Sequence, residues 1–320
     1  MPEVSYSQVK TWRLCKAQHH YKYHQRLRSR RIRRPLTLGK LIHTGLEVDA
    51  KEQDPFDALQ LELDALRGKI FAAEREQFAE IADTADVLLR SYFAYHKPLN
   101  YVPINGIYAE HKFKTRLSKS VVLKGKIDAV AEDDDGYFSV EHKTKKVIPS
   151  EEERWRDLQT ILYDVAIESE FGLPISGHLW DYIRSKTPAV PKILKGGGVS
   201  ERELDTLPLA YKRFCEANNL KVDKYTLNLI REKQSTWFVR VRSPVMKGVA
   251  TILLDQFIKT AEEIKPTRDE MNIGLHCRMC EFAKMCQARL MGLDVSEIKE
   301  KEYETRPEDT DEDPSEGLDS

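Results

Sequence analysis

At 320 residues, with 41% hydrophobic and 32% charged residues, the chain can bury one large core or two small ones, and no apolar run approaches the ~18 residues that span a bilayer. The N-terminus carries Glu3 and no apolar stretch, which does not read as a secretory signal; a cytoplasmic, reducing setting is expected, where clustered cysteines point to metal rather than disulfides. The formal net charge of −1 conceals an asymmetry: eleven Lys or Arg and no acid between Val4 and Leu46, against seven acids and one arginine in the last fifteen residues.

In chain order, Ser5 or Ser7 is placed to cap a first helix, with Val9 and Trp12 facing inward and Cys15 at its end. The run Arg26-Leu-Arg28-Ser-Arg30-Arg31-Ile-Arg33-Arg34 reads as an arm for phosphates, or as a merely soluble surface. A second helical pattern runs from Leu36 to about Leu66, with Leu38, Ile42 and Leu46 on one stripe and His43 and Glu47 beside it. Residues from Asp57 to Lys97 read as long amphipathic helices without chemistry. A strand is expected at Ile107–Phe113, next to the central hairpin; Glu110 lies on it without an assigned role.

The stretch Val121–Lys145 reads as a β-hairpin around the acidic turn Glu132–Gly136. A turn centred on Asp134 and Asp135 makes paired residue numbers sum to 269, so Asp128 is expected to face Glu141. Glu141 and Lys143 then share a face ~6.6 Å apart, and Asp128 lies about 5 Å from Glu141. Carboxylates opposed so closely repel unless a hard cation bridges them, and a neighbouring lysine can orient a water or neutralise charge on a phosphate. An exposed hairpin with solvated charges is the competing reading.

Past the hairpin, Ser150 and the acids Glu151, Glu152 and Glu153 open a helix whose Gln159 and Tyr163 sit one turn apart. Strands are expected at His178–Ile183 and Thr236–Val241, a loop with three glycines at 196–198, and a helix over Lys247–Ile264. No phosphate-binding loop ending in Gly-Lys-Ser/Thr occurs. Cys277, Cys280 and Cys286 follow at a Cys-x₂-Cys-x₅-Cys spacing and need a fourth ligand, which Cys15 supplies only if the chain ends meet. Spacing alone leaves zinc and an iron–sulfur cluster both open. Cys215 reads as a buried or incidental thiol.

Gly125-x-x-Asp128 followed by Glu141-x-Lys143-Thr144 resembles motifs II and III of the PD-(D/E)XK nuclease superfamily, in its RecB-like branch. Three further features are similar to that branch: a serine-led helix ending at Cys15, Gly39-x-x-x-His43, and Gln159 with Tyr163. The four cysteines resemble the cluster ligands of AddB-type and CRISPR-associated relatives. The resemblance implies an α/β fold, a restriction-endonuclease-like central mixed β-sheet flanked by helices, with the terminal segments joined by a [4Fe–4S] cluster on Cys15, Cys277, Cys280 and Cys286. It implies one nuclease domain over residues 1–295, while the acidic composition of 296–320 reads as a disordered tail. It further implies Mg²⁺ or Mn²⁺ held by His43, Asp128, Glu141 and the carbonyl of His142, with Lys143, Gln159 and Tyr163 completing the catalytic set. The expected activity is exonuclease cleavage of DNA, single-stranded or at duplex ends, in repair, recombination or phage DNA processing. The lack of a motor motif leaves room for a helicase partner. A catalytically silent DNA-binding module and a zinc-stapled interaction protein are the alternatives.

Overall fold

A computed structural model describes residues 3–195, 199–200, 204–265 and 268–306. The elements run β1 (Glu3–Val4), α1 (Tyr6–Leu14), α2 (Lys16–His19), β2 (Leu27–Ser29), α3 (Arg34–Ala50), α4 (Pro55–Arg67), α5 (Arg75–Tyr95), β3 (Ala109–Arg116), β4 (Val122–Asp133) and β5 (Gly136–Lys145). After these come α6 (Glu151–Trp155), α7 (Leu158–Phe171), β6 (Ile175–Arg184), α8 (Pro208–Ala217), α9 (Lys224–Glu232), β7 (Phe238–Pro244), α10 (Lys247–Glu262), α11 (Ala283–Leu290), α12 (Ser296–Glu302) and β8 (Tyr303–Thr305).

The central sheet has six strands in the order β1-β4-β5-β6-β7, with β3 also paired to β4. It is mixed: β1 with β4 and β5 with β6 run parallel, the other neighbours antiparallel. The β4–β5 hairpin has the register expected from its sequence, from Ala129↔Val140 to Asp133↔Gly136, every pair summing to 269. The strands stop pairing beyond Ala129, and there the Asp128 carboxylate accepts the His142 N–H at 2.8 Å.

Helix α3 approaches β5 so closely that a Cβ at Gly39 would stand 3.1 Å from Thr144 Oγ1. Helix α7 lies against β3, β5 and β6; Tyr163 meets Phe113 edge-on at 5.4 Å, and a Cβ at Gly125 would stand 2.8 Å from that Phe113 ring. These two glycines set how near the helices carrying His43 and Gln159 come to the hairpin. One apolar cluster joins α3, α4 and α5 through Leu38, Ile42, Leu63, Ile81 and Leu88; another packs Leu162, Tyr163 and Phe257 beneath β4.

Several boundaries depart from the sequence reading. Ser5, rather than Ser7, caps α1, in a reciprocal pair of bonds with Gln8. The pattern from Leu36 to Leu66 is two helices, because Asp54 caps a new one with Pro55 in its first turn. The helix opened by Ser150 is likewise broken, with Asp157 accepting the Gln159 and Thr160 N–H groups to start α7. The segment from Ser296, assigned to a disordered tail, is structured as far as Arg306: α12 leads into β8, which pairs with β2. The remaining tail and the glycines at 196–198 lie outside the described residues.

Candidate metal and catalytic centre

The centre forms where the β4 ladder with β5 ends and its ladder with β3 skips one rung. On the β3 side the ladder runs Ala109↔Ala129 and then His111↔Ile127, skipping the rung of Glu110 and Asp128. Glu110 takes a φ of +60°, a left-handed conformation uncommon outside glycine. A residue held there by its surroundings marks a functional position, since the backbone cost is of order 1–3 kcal/mol. Its carboxylate joins Asp128 and the His43 imidazole of α3 in a group whose ligating atoms all lie within 4.8 Å of one another, the one such group of His, Cys, Asp or Glu among the described residues. His43 Nδ1 and Asp128 Oδ2 are 4.0 Å apart.

The electrostatics match a site that awaits positive charge. Burial and the Asp128 carboxylate push Glu110 up to about 7, although Lys126 pairs with it and pulls the other way. Burial lowers His43 in spite of Asp128, keeping the imidazole neutral and able to donate a lone pair. One imidazole nitrogen and two carboxylate oxygens suit Mg²⁺ or Mn²⁺.

Glu141 is not part of this group, although the Asp128 charge acts on it across the hairpin. It shares the α7 side of β5 with Lys143 and is buried, 4% exposed. Lys143 Nζ pairs with its carboxylate and donates to Gln159 Oε1 at 3.0 Å, and Gln159 Nε2 donates to the Tyr163 hydroxyl at 3.2 Å. Burial lifts Glu141 to about 8, with Lys143 pulling it down and Asp128 adding to the rise. Burial also opposes the Lys143 charge, but Glu141, Asp157 and Asp128 outweigh it and hold the ammonium above its usual range. Gln159 and Tyr163 thus meet each other as the one-turn spacing anticipates, and Gln159 also reaches the hairpin lysine.

His142 lies edge-on to His43 with ring centroids 6.3 Å apart, and its Nδ1 lies 3.0 Å from Asp181 Oδ2 on β6. Asp181 is fully buried and further bound by the Tyr92 hydroxyl and by Arg240 Nε at 3.3 Å. Burial works against both charges of this pair, yet their attraction raises His142 and lowers Asp181. The network fixes the β5 backbone where it meets Asp128. Sequence patterning gave Asp181 and Tyr92 no role, because nothing local marks two residues that meet from β6 and α5.

The basic block runs along the surface and makes contacts within the protein, with Arg28, Arg30 and Arg31 still exposed. Arg28 pairs with Glu304, Arg26 and Arg33 reach the carbonyls of Arg306 and Met279, and Arg34 donates to Ser185 O at 3.0 Å. The contacts of Arg26, Arg28 and Arg33 tie the N-terminal segment to the C-terminal one. Close by, Cys15, Tyr21, Phe282, Met285 and Tyr303 form a small core against which Cys280 and Cys286 pack. Asn272 bridges two of the thiols: its backbone N–H points to Cys15 Sγ at 3.5 Å, and its carbonyl accepts from Cys277 Sγ at 3.8 Å. Burial raises the thiol of Cys280 to about 11 and that of Cys286 as well, with the neighbouring thiols adding to both. Cys215 is buried beside Tyr211, away from this lobe.

No helix among the described residues is long and apolar enough to cross a membrane. No curated protein matches the chain. The family model described as the PD-(D/E)XK nuclease superfamily matches residues 3–287. With that span, a mixed sheet flanked by helices, and carboxylates beside a lysine where two strands part, the chain belongs to the PD-(D/E)XK nuclease superfamily, whose members hydrolyse nucleic acids with divalent metal ions.

Proposed function

We propose that the chain is a Mg²⁺- or Mn²⁺-dependent exonuclease that hydrolyses phosphodiester bonds of DNA, as single strands or at duplex ends. The observation that carries this reading is the gathering of His43, Glu110 and Asp128 within 4.8 Å, next to the buried Glu141, Lys143 and Gln159 chain. His43, Glu110 and Asp128 would hold the cation, and the family resemblance would add Glu141 and the His142 carbonyl. Bound there, the ion supplies Lewis acidity and offsets charge building on the phosphate.

The protein's own groups supply the rest. Lys143, held between Glu141 and Gln159, presents its ammonium to a water or a phosphate oxygen at the mouth of the gap. Tyr163 holds Gln159, so the lysine is aimed by two helical turns as well as by its strand. The Asp181 network keeps the β5 backbone in place beneath Asp128.

The cysteine lobe supports a [4Fe–4S] cluster on Cys15, Cys277, Cys280 and Cys286. Apolar packing gathers Cys15, Cys280 and Cys286 in one lobe; four thiolates can hold zinc or a cluster, and the resemblance to cluster-bearing relatives favours the cluster. The lobe would staple the chain ends, in a cytoplasmic protein acting in repair, recombination or phage DNA processing, alone or beside a helicase.

The test is degradation of end-labelled single- and double-stranded DNA by anaerobically purified protein with Mg²⁺ or Mn²⁺, beside Glu141→Ala and Lys143→Ala. Loss of cutting in both variants supports the centre, and the label pattern gives polarity. Inert wild-type protein that still binds DNA with its cluster intact would refute stand-alone cleavage.

A further inference from the structure

A cavity of ≈ 180 Å³ opens on the α7 side of the sheet, directly beside the catalytic lysine. Its wall includes Lys143 and Gln159 and continues through Lys10, Lys145, Arg154 and Tyr182. It is thus continuous with the candidate centre, but most of its lining takes no part in the chemistry described above.

Two donors in that wall have no partner among the described residues. Tyr182 is 1% exposed, and its hydroxyl makes no hydrogen bond. Arg154 donates from Nη1 to Pro149 O at 2.6 Å, while its buried Nε also lacks a partner. A buried donor left unsatisfied costs about 1–3 kcal/mol, so two of them lining one cavity point to an acceptor that enters it. The parallel register of β5 and β6 brings this about, setting Tyr182 across from Lys143 on the same side of the sheet.

The charge of the lining selects the acceptor. Lys10, Lys145 and Arg154 contribute three cations besides Lys143, whose charge Glu141 already meets, and the cavity also has two acids, Glu153 and Asp157. Both acids are engaged by helix starts: Glu153 accepts the Ser150 N–H at 2.7 Å and Asp157 the Gln159 N–H at 2.9 Å. The cavity is smaller than the roughly 300–1,000 Å³ that encloses a whole small-molecule ligand. It suits one compact oxyanion, entering alongside the phosphate that Lys143 faces.

We propose that this cavity is a subsite for a phosphate of the substrate strand, specifically the phosphomonoester at its end, bound by Arg154, Tyr182, Lys10 and Lys145. The assignment rests on the nuclease reading and narrows its substrate to strands with a phosphorylated terminus. Seated there, the terminal phosphate measures off the bond presented to Lys143, so hydrolysis proceeds from the end inward.

The experiment uses the full chain with fluorescent single strands of one sequence carrying a 5′-phosphate, a 3′-phosphate or hydroxyls at both ends, plus a circular strand. Binding is read by anisotropy with Ca²⁺ in place of Mg²⁺, and cleavage separately with Mg²⁺ or Mn²⁺. One phosphorylated end should bind about 10-fold tighter than the hydroxyl strand, the size of a charge-assisted hydrogen bond or more. That preference should vanish in Tyr182→Phe, which keeps the buried ring, and in the independent variant Arg154→Gln. Equal binding of phosphorylated and hydroxyl ends, or a preference that survives both variants, overturns the subsite. Uniform weakening of every strand, circle included, also overturns it in favour of an internal phosphodiester. Cleavage of all strands alike with no end preference would sink the subsite and leave the nuclease standing; an end preference with no cleavage under any metal would do the reverse.

Discussion

The two proposed metal sites, the carboxylate centre and the cysteine lobe, differ in how much the backbone settles beforehand. At the carboxylate centre three ligands from α3, β3 and β4 already lie within 4.8 Å of one another. The strain of Glu110 at φ +60° and its rise to about 7 are the cost of that arrangement. In the lobe, apolar packing of Tyr21, Phe282 and Tyr303 brings the chain ends together, while burial holds the Cys280 and Cys286 thiols above their usual range. A hard-ion site can be prebuilt from sheet register, whereas a thiolate site is completed by what binds it.

Breaking the first region should abolish activity and spare the fold. Lys143→Met is expected to lower kcat by ~10²–10³, the loss typical of one electrostatic stabiliser, while leaving the thermal midpoint within a few degrees by calorimetry. Breaking the second should do the opposite in kind. Cys15→Ser should bleach any brown chromophore and cost about 3 kcal/mol or more in chemical denaturation, the range in which structural metal sites lie.

A subtler perturbation separates ligands from their supports. Asp181→Asn removes the charge that holds His142, and an outer support of this kind typically shifts metal affinity by 10–100-fold. The Mn²⁺ concentration giving half-maximal cleavage should rise by that factor, with the maximal rate less affected.

The smallest expected effect comes from acid. His19, in α2 next to Cys15, lies edge-on to Trp12 at 5.2 Å, and burial, reinforced by His20 and His24, lowers it to about 4. Its folded value lies below the unfolded 6.5, so the neutral form is favoured in the fold. Stability is therefore complete above pH 6.5 and declines as pH falls from 6.5 through 4, by about 2 kcal/mol. Urea denaturation at pH 7 and pH 4.5 should show the drop, and His19→Phe should flatten it.

Much of the site was legible because its residues obey short-range rules. The hairpin register follows from an acidic two-residue turn, and Gln159 with Tyr163 from one helical turn. The parts that escaped depend on backbone irregularity or distant strands. Glu110 sits on a strand of alternating burial, but nothing in Ala109-Glu110-His111 announces a left-handed residue that skips a rung. Asp181 acquires its meaning only from the β5–β6 register. The helix breaks at Asp54 and Asp157 were readable as capping acids, and apolar periodicity masked them. The Arg26–Arg34 block could be read as an arm only while Glu304 and Met279 were not known to lie beside it.

The central claim is that the skipped rung of Glu110 and Asp128, with His43, is the metal centre. Calorimetric titration of Mn²⁺ into wild type, Glu110→Gln and the hairpin-turn control Asp134→Asn tests it most directly. The account predicts one clear binding event in wild type and control, weakened at least about 10-fold in Glu110→Gln. Unchanged binding in Glu110→Gln would contradict it and return the metal to the Asp128 and Glu141 pair.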